Sequence, residues 1–470
     1  MTNCDSVSRK ALFRLKTEKR NIKMHLFTKR QNIDTKLIRE INRTAIPLIL
    51  STVTGTVMGM IDQAFVGHIS VYAYGGVGLV ASCINSLIGV LGAFSIVFNI
   101  RGSHRRGEGD QESLNQLFGN FFLLSLMVGI ALCLGFALFS RPVLELGFGL
   151  HGETLTEAEN YLQIFSLTIP LNLMLFIYSS VFKIFRKTGI IFLVSLGANL
   201  LNILLDYVLI FGHLGLPEMG TRGAALGTVT ALAANLGFYA FLGKDYVRFS
   251  RKDLSLEKMG QIFRFSLPFL GQEAMEDILF VVGLNGIVAR LGVTELAAYN
   301  LIAQFTNLIL MPMFGYTAAN TSLVSEWAGK GDRKQADKAG RYTFGLLCIW
   351  FAVFYVILVL GRERFARLIS PDTEVIALAA ACMPLALLIQ LLNYYGNVWK
   401  SSLQSLGWQN WTLRTAFIIN LLVLGFMGAA AWISGKILWI YLIQGLGYLG
   451  LSLAYTWKKT KEESKCFTQR

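Results

Sequence analysis

The chain has 470 residues, 54% hydrophobic and only 15% charged, with a mean hydropathy of +0.51. A soluble protein of this length needs far more charge to cover its surface, so that class is excluded. The formal net charge of +14 raises the question of an anionic partner such as nucleic acid, which the placement of the basic residues answers below.

The first ~35 residues are basic and polar and lack the short apolar core of a cleavable signal peptide. Ala11, Leu12, Phe13 and Leu15 among Arg14, Lys16, Lys19 and Arg20 read either as a weakly amphipathic helix on an anionic leaflet or as a disordered tail. Met24 is an alternative start. A bilayer span needs about 20 apolar residues. Such runs lie near 38–63, 73–98, 113–139, 160–182, 189–211 and 223–243, then near 265–289, 297–325, 342–361, 375–399, 415–433 and 437–457. Uniformly apolar runs of this length are helices, because barrel strands alternate and are about half as long.

An even number of spans puts both termini on one side. With the N-terminus in the cytoplasm, about 36 of the 43 Lys and Arg residues fall inside and about 7 outside. The basic charge is therefore a topology signal, and a nucleic-acid partner drops out. The division is a basic tail (1–37), a six-helix half (38–243), a linker (244–264), a second six-helix half (265–457) and a basic tail (458–470), with both termini cytoplasmic.

The halves repeat in phase. Gly107-Glu108-Gly109-Asp110 recurs as Gly329-Lys330-Gly331-Asp332, Ile46-Pro47 as Leu267-Pro268, and Ser70-Val71 as Gly292-Val293. Asn202 is matched to Asn420, and Pro170 to Pro384. Six spans per half make this a parallel repeat: an all-α integral membrane fold of twelve helices in two six-helix bundles around a central cavity.

Five acids fall within the spans: Asp62, Asp206, Glu273, Glu276 and Asp277. Each costs about 2.5–3.5 kcal/mol at the bilayer centre if ionised, so they ask for use or relief. The helical rise puts Asp62 roughly 28 Å beyond Arg43, and Asp206 about as far beyond Lys187. Asn202 is one turn from Asp206 on the same face, and Thr228 lies about 9 Å in from Arg222. Four oxygen-bearing side chains thus meet at one level. Such oxygens suit Na⁺, and two close carboxyls suit a proton, since both cannot stay ionised. Glu273, Glu276 and Asp277 share a helix face at i, i+3, i+4 and offer a substrate cavity or second cation site, or else a solvated face. No Lys or Arg falls inside the spans so drawn.

The stretches Ala45–Gly67 and Asn202–Gly227, with the repeated G-x-G-D loops, resemble the multidrug and toxic compound extrusion (MATE) family over roughly 38–457. The resemblance implies export of organic cations and amphiphiles in exchange for protons or Na⁺, with no cofactor and no catalysis. It places the family's cation site on Asp62, Asn202 and Asp206, with Thr228 a weaker match, and sets Asp277 where many members carry a seventh-span Glu. It further implies a monomer that is multi-pass in the plasma membrane, a bacterial inner membrane.

Two other readings stay open: a lipid-linked saccharide flippase of the same superfamily, which needs basic residues for a pyrophosphate, and an integral-membrane enzyme. Scattered His and Cys (four of the six cysteines in apolar runs) argue against an enzyme, a disulfide framework or a zinc site. Gly445-x-Gly447-x-x-Gly450 lies inside a span with no preceding strand, so it is no nucleotide loop.

Overall fold

The computed structural model describes residues 34–249 and 254–468. The expectations for the N-terminal tail, Met24 and Cys4 lie outside these residues. Of Asp277 and Cys466 the backbone is described but the side chain is not. Residues 1–39 and 40–470 are separate units. In the first, Asp34 caps the opening helix by accepting from the backbone N–H of Leu37 at 3.1 Å.

Twelve long helical regions follow in order. They are α1 (Thr35–Gly67), α2 (Val71–Glu108), α3 (Gln111–Leu138), α4 (Gly152–Phe165 continued by Thr168–Ile184), α5 (Thr188–Phe211) and α6 (Gly220–Gly243). The second set is α7 (Leu256–Ala289), α8 (Val293–Gly329), α9 (Arg333–Leu360), α10 (Thr373–Ser405), α11 (Gln409–Ser434) and α12 (Ile437–Thr468). Ten are long and apolar enough to cross a membrane unaided, and the two segments of α4, bent by 40°, make an eleventh. The twelfth, α7, carries its acids in the interior and is interrupted by a π turn at Met275–Phe280. The protein is an all-helical, multi-span membrane protein.

The repeated G-x-G-D loop has a physical reading in both halves. The second glycine of each, Gly109 and Gly331, takes a left-handed conformation (φ 79° and 75°) that closes the preceding helix. The aspartate then caps the next helix. Asp110 accepts from the N–H of Ser113 at 2.9 Å and Asp332 from that of Gln335 at 3.0 Å. The first glycine lets α2 and α8 cross. A Cβ on Gly107 would meet the carbonyl of Glu326, and one on Gly329 the carbonyl of His104. Each motif thus stops one helix, starts the next and clears the crossing between halves.

Contacts between the halves gather at the ends of the helices that carry the basic loops, here called the basic face. Asn42 accepts from the hydroxyl of Tyr316 at 2.7 Å, and Asn99 from that of Ser322 at 2.7 Å. The carboxylate of Glu326 on α8, 5% exposed, is bound by Arg186 at 2.7 Å and Arg106 at 3.5 Å from the first half, and by Lys330 at 2.6 Å. Arg186 also pairs with Glu40.

Four details differ from the sequence reading. Counted from the helix starts at Thr188 and Gln409, Asn420 corresponds to Asn199 rather than Asn202. Pro170 follows the break in α4 at Ser166, whereas Pro384 precedes the break in α10 at Ile389, so these prolines do not occupy one repeat position. The last helix runs on to Thr468, through much of the stretch read as a tail. There Lys458 lies 3.5 Å from the Trp408 ring and pairs with Glu462 at 3.1 Å, and Lys459 lies 3.5 Å from the Trp399 ring and pairs with Asp337, so aromatic faces and carboxylates together hold the charges. Helix α10 continues to Ser405, past the run 375–399, and so carries Lys400.

Candidate functional site: a carboxylate cavity in the first half

A cavity of about 280 Å³ opens among α1, α2, α4, α5 and α6. Asp62, Asn202, Asp206 and Thr228 all line it, so the structure brings the four first-half residues together. Asp206 is 1% exposed. It reaches the wall because α5 and α6 approach closely at glycines. A Cβ on Gly223 would meet the backbone of Leu209, and one on Gly227 would meet Oδ1 of Asp206. Any larger residue at 227 takes the space of the carboxyl group.

The carboxyl groups of Asp62 and Asp206 face each other within interaction range, and Asn202 approaches Asp206. Yet Oδ1 of Asp62, both carboxyl oxygens of Asp206 and Nδ2 of Asn202 have no formed hydrogen bond among the described residues. Thr228 donates its hydroxyl to the carbonyl of Ala224 at 3.0 Å, which leaves the oxygen free to accept or ligate. Burying two facing carboxylates without partners is costly, and one proton or one monovalent cation between them relieves it. Two carboxylates with neutral amide and hydroxyl oxygens make a hard, all-oxygen donor set that fits Na⁺.

The same wall carries residues that sequence reasoning passed over. Tyr161 is buried beside both acids and stacks on Phe165 at 4.5 Å between centroids. Asn85, Asn172, Asn199 and Asn235 also line the cavity. Their signal was available: an asparagine inside an apolar span is a polar residue that asks for a partner. Asn199 sits on the Asn202–Asp206 face of α5, and Asn235 is two turns from Thr228 on α6.

Of the second-half acids, Glu276 has partners of its own. Glu276 is paired with Lys400 of α10 at 2.8 Å and accepts from Gln272 at 3.0 Å, and Gln272 in turn accepts from Gln404 at 3.0 Å. The reading that no basic residue enters the spans is therefore corrected, because the helix containing Lys400 extends beyond its apolar run. The π turn begins between Glu273 and Glu276, so the 3.6-residue spacing that put Glu273, Glu276 and Asp277 on one face does not hold there.

A family model described as MatE matches residues 47–208 and 275–429. Among curated proteins, the chain is 27% identical over 382 residues to a "Probable multidrug resistance protein NorM" of Thermotoga maritima, covering 78% of this chain and 80% of that one. It is 27% identical over 464 residues to the protein of the same name in Pseudomonas aeruginosa, with 90% of each covered. Among solved structures, it is similar to a multidrug resistance MATE family transporter of the MOP superfamily in an outward-facing conformation. That match has TM-score 0.81 and 18% identity, covering 91% of this chain and 96% of that one. A Vibrio cholerae MATE transporter gives TM-score 0.82 at 17% identity, over 92% and 98%. At these identities the structural likeness speaks for the fold alone.

Proposed function

The chain belongs to the multidrug and toxic compound extrusion family, and on that premise we propose that it exports cationic or amphiphilic small molecules in exchange for protons or Na⁺. The observation that carries this reading is the meeting of Asp62 and Asp206, with Asn202 and Thr228, on one cavity wall inside an apolar bundle. Relatives named as multidrug resistance proteins support the substrate class.

With the cavity open to the outside, a proton or Na⁺ binds between the two carboxyls and neutralises them. Attraction for a cationic substrate then falls, the substrate leaves outward, and the neutralised bundle returns to face the cytoplasm. Each charge carried inward down 100 mV supplies about 2.3 kcal/mol. Alternating access is supported by the contacts between halves, which gather on the basic face through Asn42–Tyr316, Asn99–Ser322 and the pairs around Glu326. The excess of Lys and Arg there assigns that face to the cytoplasm, so the arrangement is closed inward. The relatives are bacterial, which supports an inner-membrane location.

The test is cation-driven dye efflux from reconstituted vesicles, comparing the wild type with Asp62→Asn and Asp206→Asn. Efflux driven by a pH step without Na⁺, and abolished in both variants, identifies a proton site. A strict Na⁺ requirement identifies the same residues as a sodium site. Unchanged coupled efflux in Asp62→Asn refutes the mechanism. The flippase reading gains no anion site from Lys400, whose charge is matched by Glu276.

A further inference from the structure

Glu276 and Lys400 form a charged pair that the export cycle above does not use. The ammonium of Lys400 on α10 donates to both carboxylate oxygens of Glu276 on α7, at 2.8 and 3.0 Å. Gln272 donates to the same carboxylate at 3.0 Å, and Gln404 donates to Gln272 at 3.0 Å. Two carboxamides in series thus turn N–H groups toward the negative charge. The pair is largely enclosed, with the Lys400 and Glu276 side chains 14% and 33% exposed. The π turn of α7 opens at Met275, next to Glu276, and such turns collect at functional sites.

Packing does not ask for this pair, since well-packed apolar side chains hold a bundle at least as well as a buried ion pair. Nor does the internal repeat supply it. Counted from Pro47 and Pro268, Glu276 stands at the place of Gly55. The α4–α5 and α10–α11 turns match bond for bond: Lys187 N–H bonds Phe182 C=O as Trp408 N–H bonds Leu403 C=O. Counting back from those turns puts Lys400 at the place of Ser179. Gly55 lies seven residues before Asp62, so by the repeat Glu276 sits roughly 10 Å nearer the basic face than the first-half carboxyls.

Glu276 and the first-half carboxyls are treated in opposite ways. Oδ1 of Asp62 and both carboxyl oxygens of Asp206 have no formed hydrogen bond, and no described residue lining their cavity is a Lys or Arg. Those carboxyls stand open to a cation from solution. At Glu276 an ammonium of the chain already stands where such a cation would bind. We infer that Lys400 is a tethered cation that keeps Glu276 out of ion coupling, and so sets how many cations are exchanged for each substrate. The consequence for transport rests on the export reading, whereas the filling of Glu276 by Lys400 does not.

The experiment compares the full chain with Lys400→Gln and with Lys400→Gln combined with Glu276→Gln. Glutamine keeps an N–H donor near the carboxylate and removes only the charge. In detergent, protons taken up from weakly buffered solution and radioactive sodium retained are counted per chain. Lys400→Gln is expected to bind one cation more than the wild type, and the double variant to return to the wild-type count. In proteoliposomes, the membrane potential that nulls ethidium flux at fixed ion gradients gives the charge moved per ethidium. Charges fixed on the protein return to their starting places in each complete cycle, so only exchanged ligands contribute. That charge should rise by one in Lys400→Gln and fall back in the double variant. A pair that served packing alone would lower the melting temperature of Lys400→Gln and leave both counts unchanged. Equal cation counts in Lys400→Gln and in the double variant would overturn the inference. If no gradient moves ethidium in the wild type, the export reading fails, and the cation count still decides the role of Lys400.

Discussion

Replacing Glu326 by Gln tests whether the closed basic face is an energetic device or only a packing contact. The carboxylate is 5% exposed and is shared by Arg186, Arg106 and Lys330. Removing one partner of a buried pair costs about 3–5 kcal/mol. Here the figure needs discounting, because the Arg106 and Lys330 side chains are 28% and 40% exposed and Arg186 keeps Glu40. A net cost of about 2 kcal/mol remains. Arg106 and Arg186 come from the other half, so most of it acts on the arrangement in which the halves touch. The closed-to-open ratio then falls by a factor of about 30. The readout is the maleimide labelling rate of Ser322→Cys in a cysteine-free background, since Ser322 is buried on this interface against Asn99 at 2.7 Å. Glu326→Gln should raise that rate by more than tenfold, whereas Glu108→Gln, whose carboxylate is 34% exposed and paired within its own helix, should leave it unchanged. A melting temperature that drops with no change in labelling would refute the reasoning, because the cost would then fall on folding rather than on closure.

Gly227→Ala should disable cation coupling and lower stability by about 1–3 kcal/mol, since its Cβ takes the space of the Asp206 carboxyl; dye efflux and thermal melting check both. Lys400→Met should destabilise by about 2 kcal/mol by stranding Glu276, whose side chain is 33% exposed, and the double variant with Glu276→Gln should regain most of the loss, measured as a double-mutant cycle. Asp332→Ala should cost about 1 kcal/mol as a lost helix cap, read from the melting temperature. Asp110 lies in a loop, and its hydrogen bonds to Ser113 hold its carboxyl below the usual carboxylate range. A depressed folded value means that its contribution is fully present above the unfolded pKa near 3.9 and is lost as pH falls through the lower folded value. The stability gap between wild type and Asp110→Asn should therefore be flat at neutral pH and close only in strong acid.

Much of the candidate site was legible before the structure. Asp62, Asn202, Asp206 and Thr228 could be placed at one depth because a spanning helix has a fixed rise and its entry points are marked by charge. Tyr161 was not legible, and Asn85, Asn172 and Asn235 gave only the signal of a polar residue in an apolar span, because which side chains meet at the cavity depends on how each helix is rotated about its own axis. The shared face drawn for the second-half acids depends on the same kind of rotation. The face argument assumes an unbroken α-helix, and the π turn at Met275–Phe280 removes that assumption. Lys400 escaped notice because hydropathy ends a span where charge begins, while the backbone hydrogen bonds of α10 continue to Ser405.

The amino-acid sequence by itself determined the membrane class, the repeat of two six-helix halves, the basic face and the first-half carboxylates. Each follows from composition, from the apolar length needed to cross a bilayer, or from spacing along one helix. Only the tertiary structure decided that Asp206 and Asp62 line one cavity, with Gly227 leaving room for the Asp206 carboxyl, that Glu276 is matched by Lys400, and that Glu326 gathers arginines from the other half. Those outcomes rest on which helix faces meet across spans distant in the chain, and no periodicity within a single helix records that.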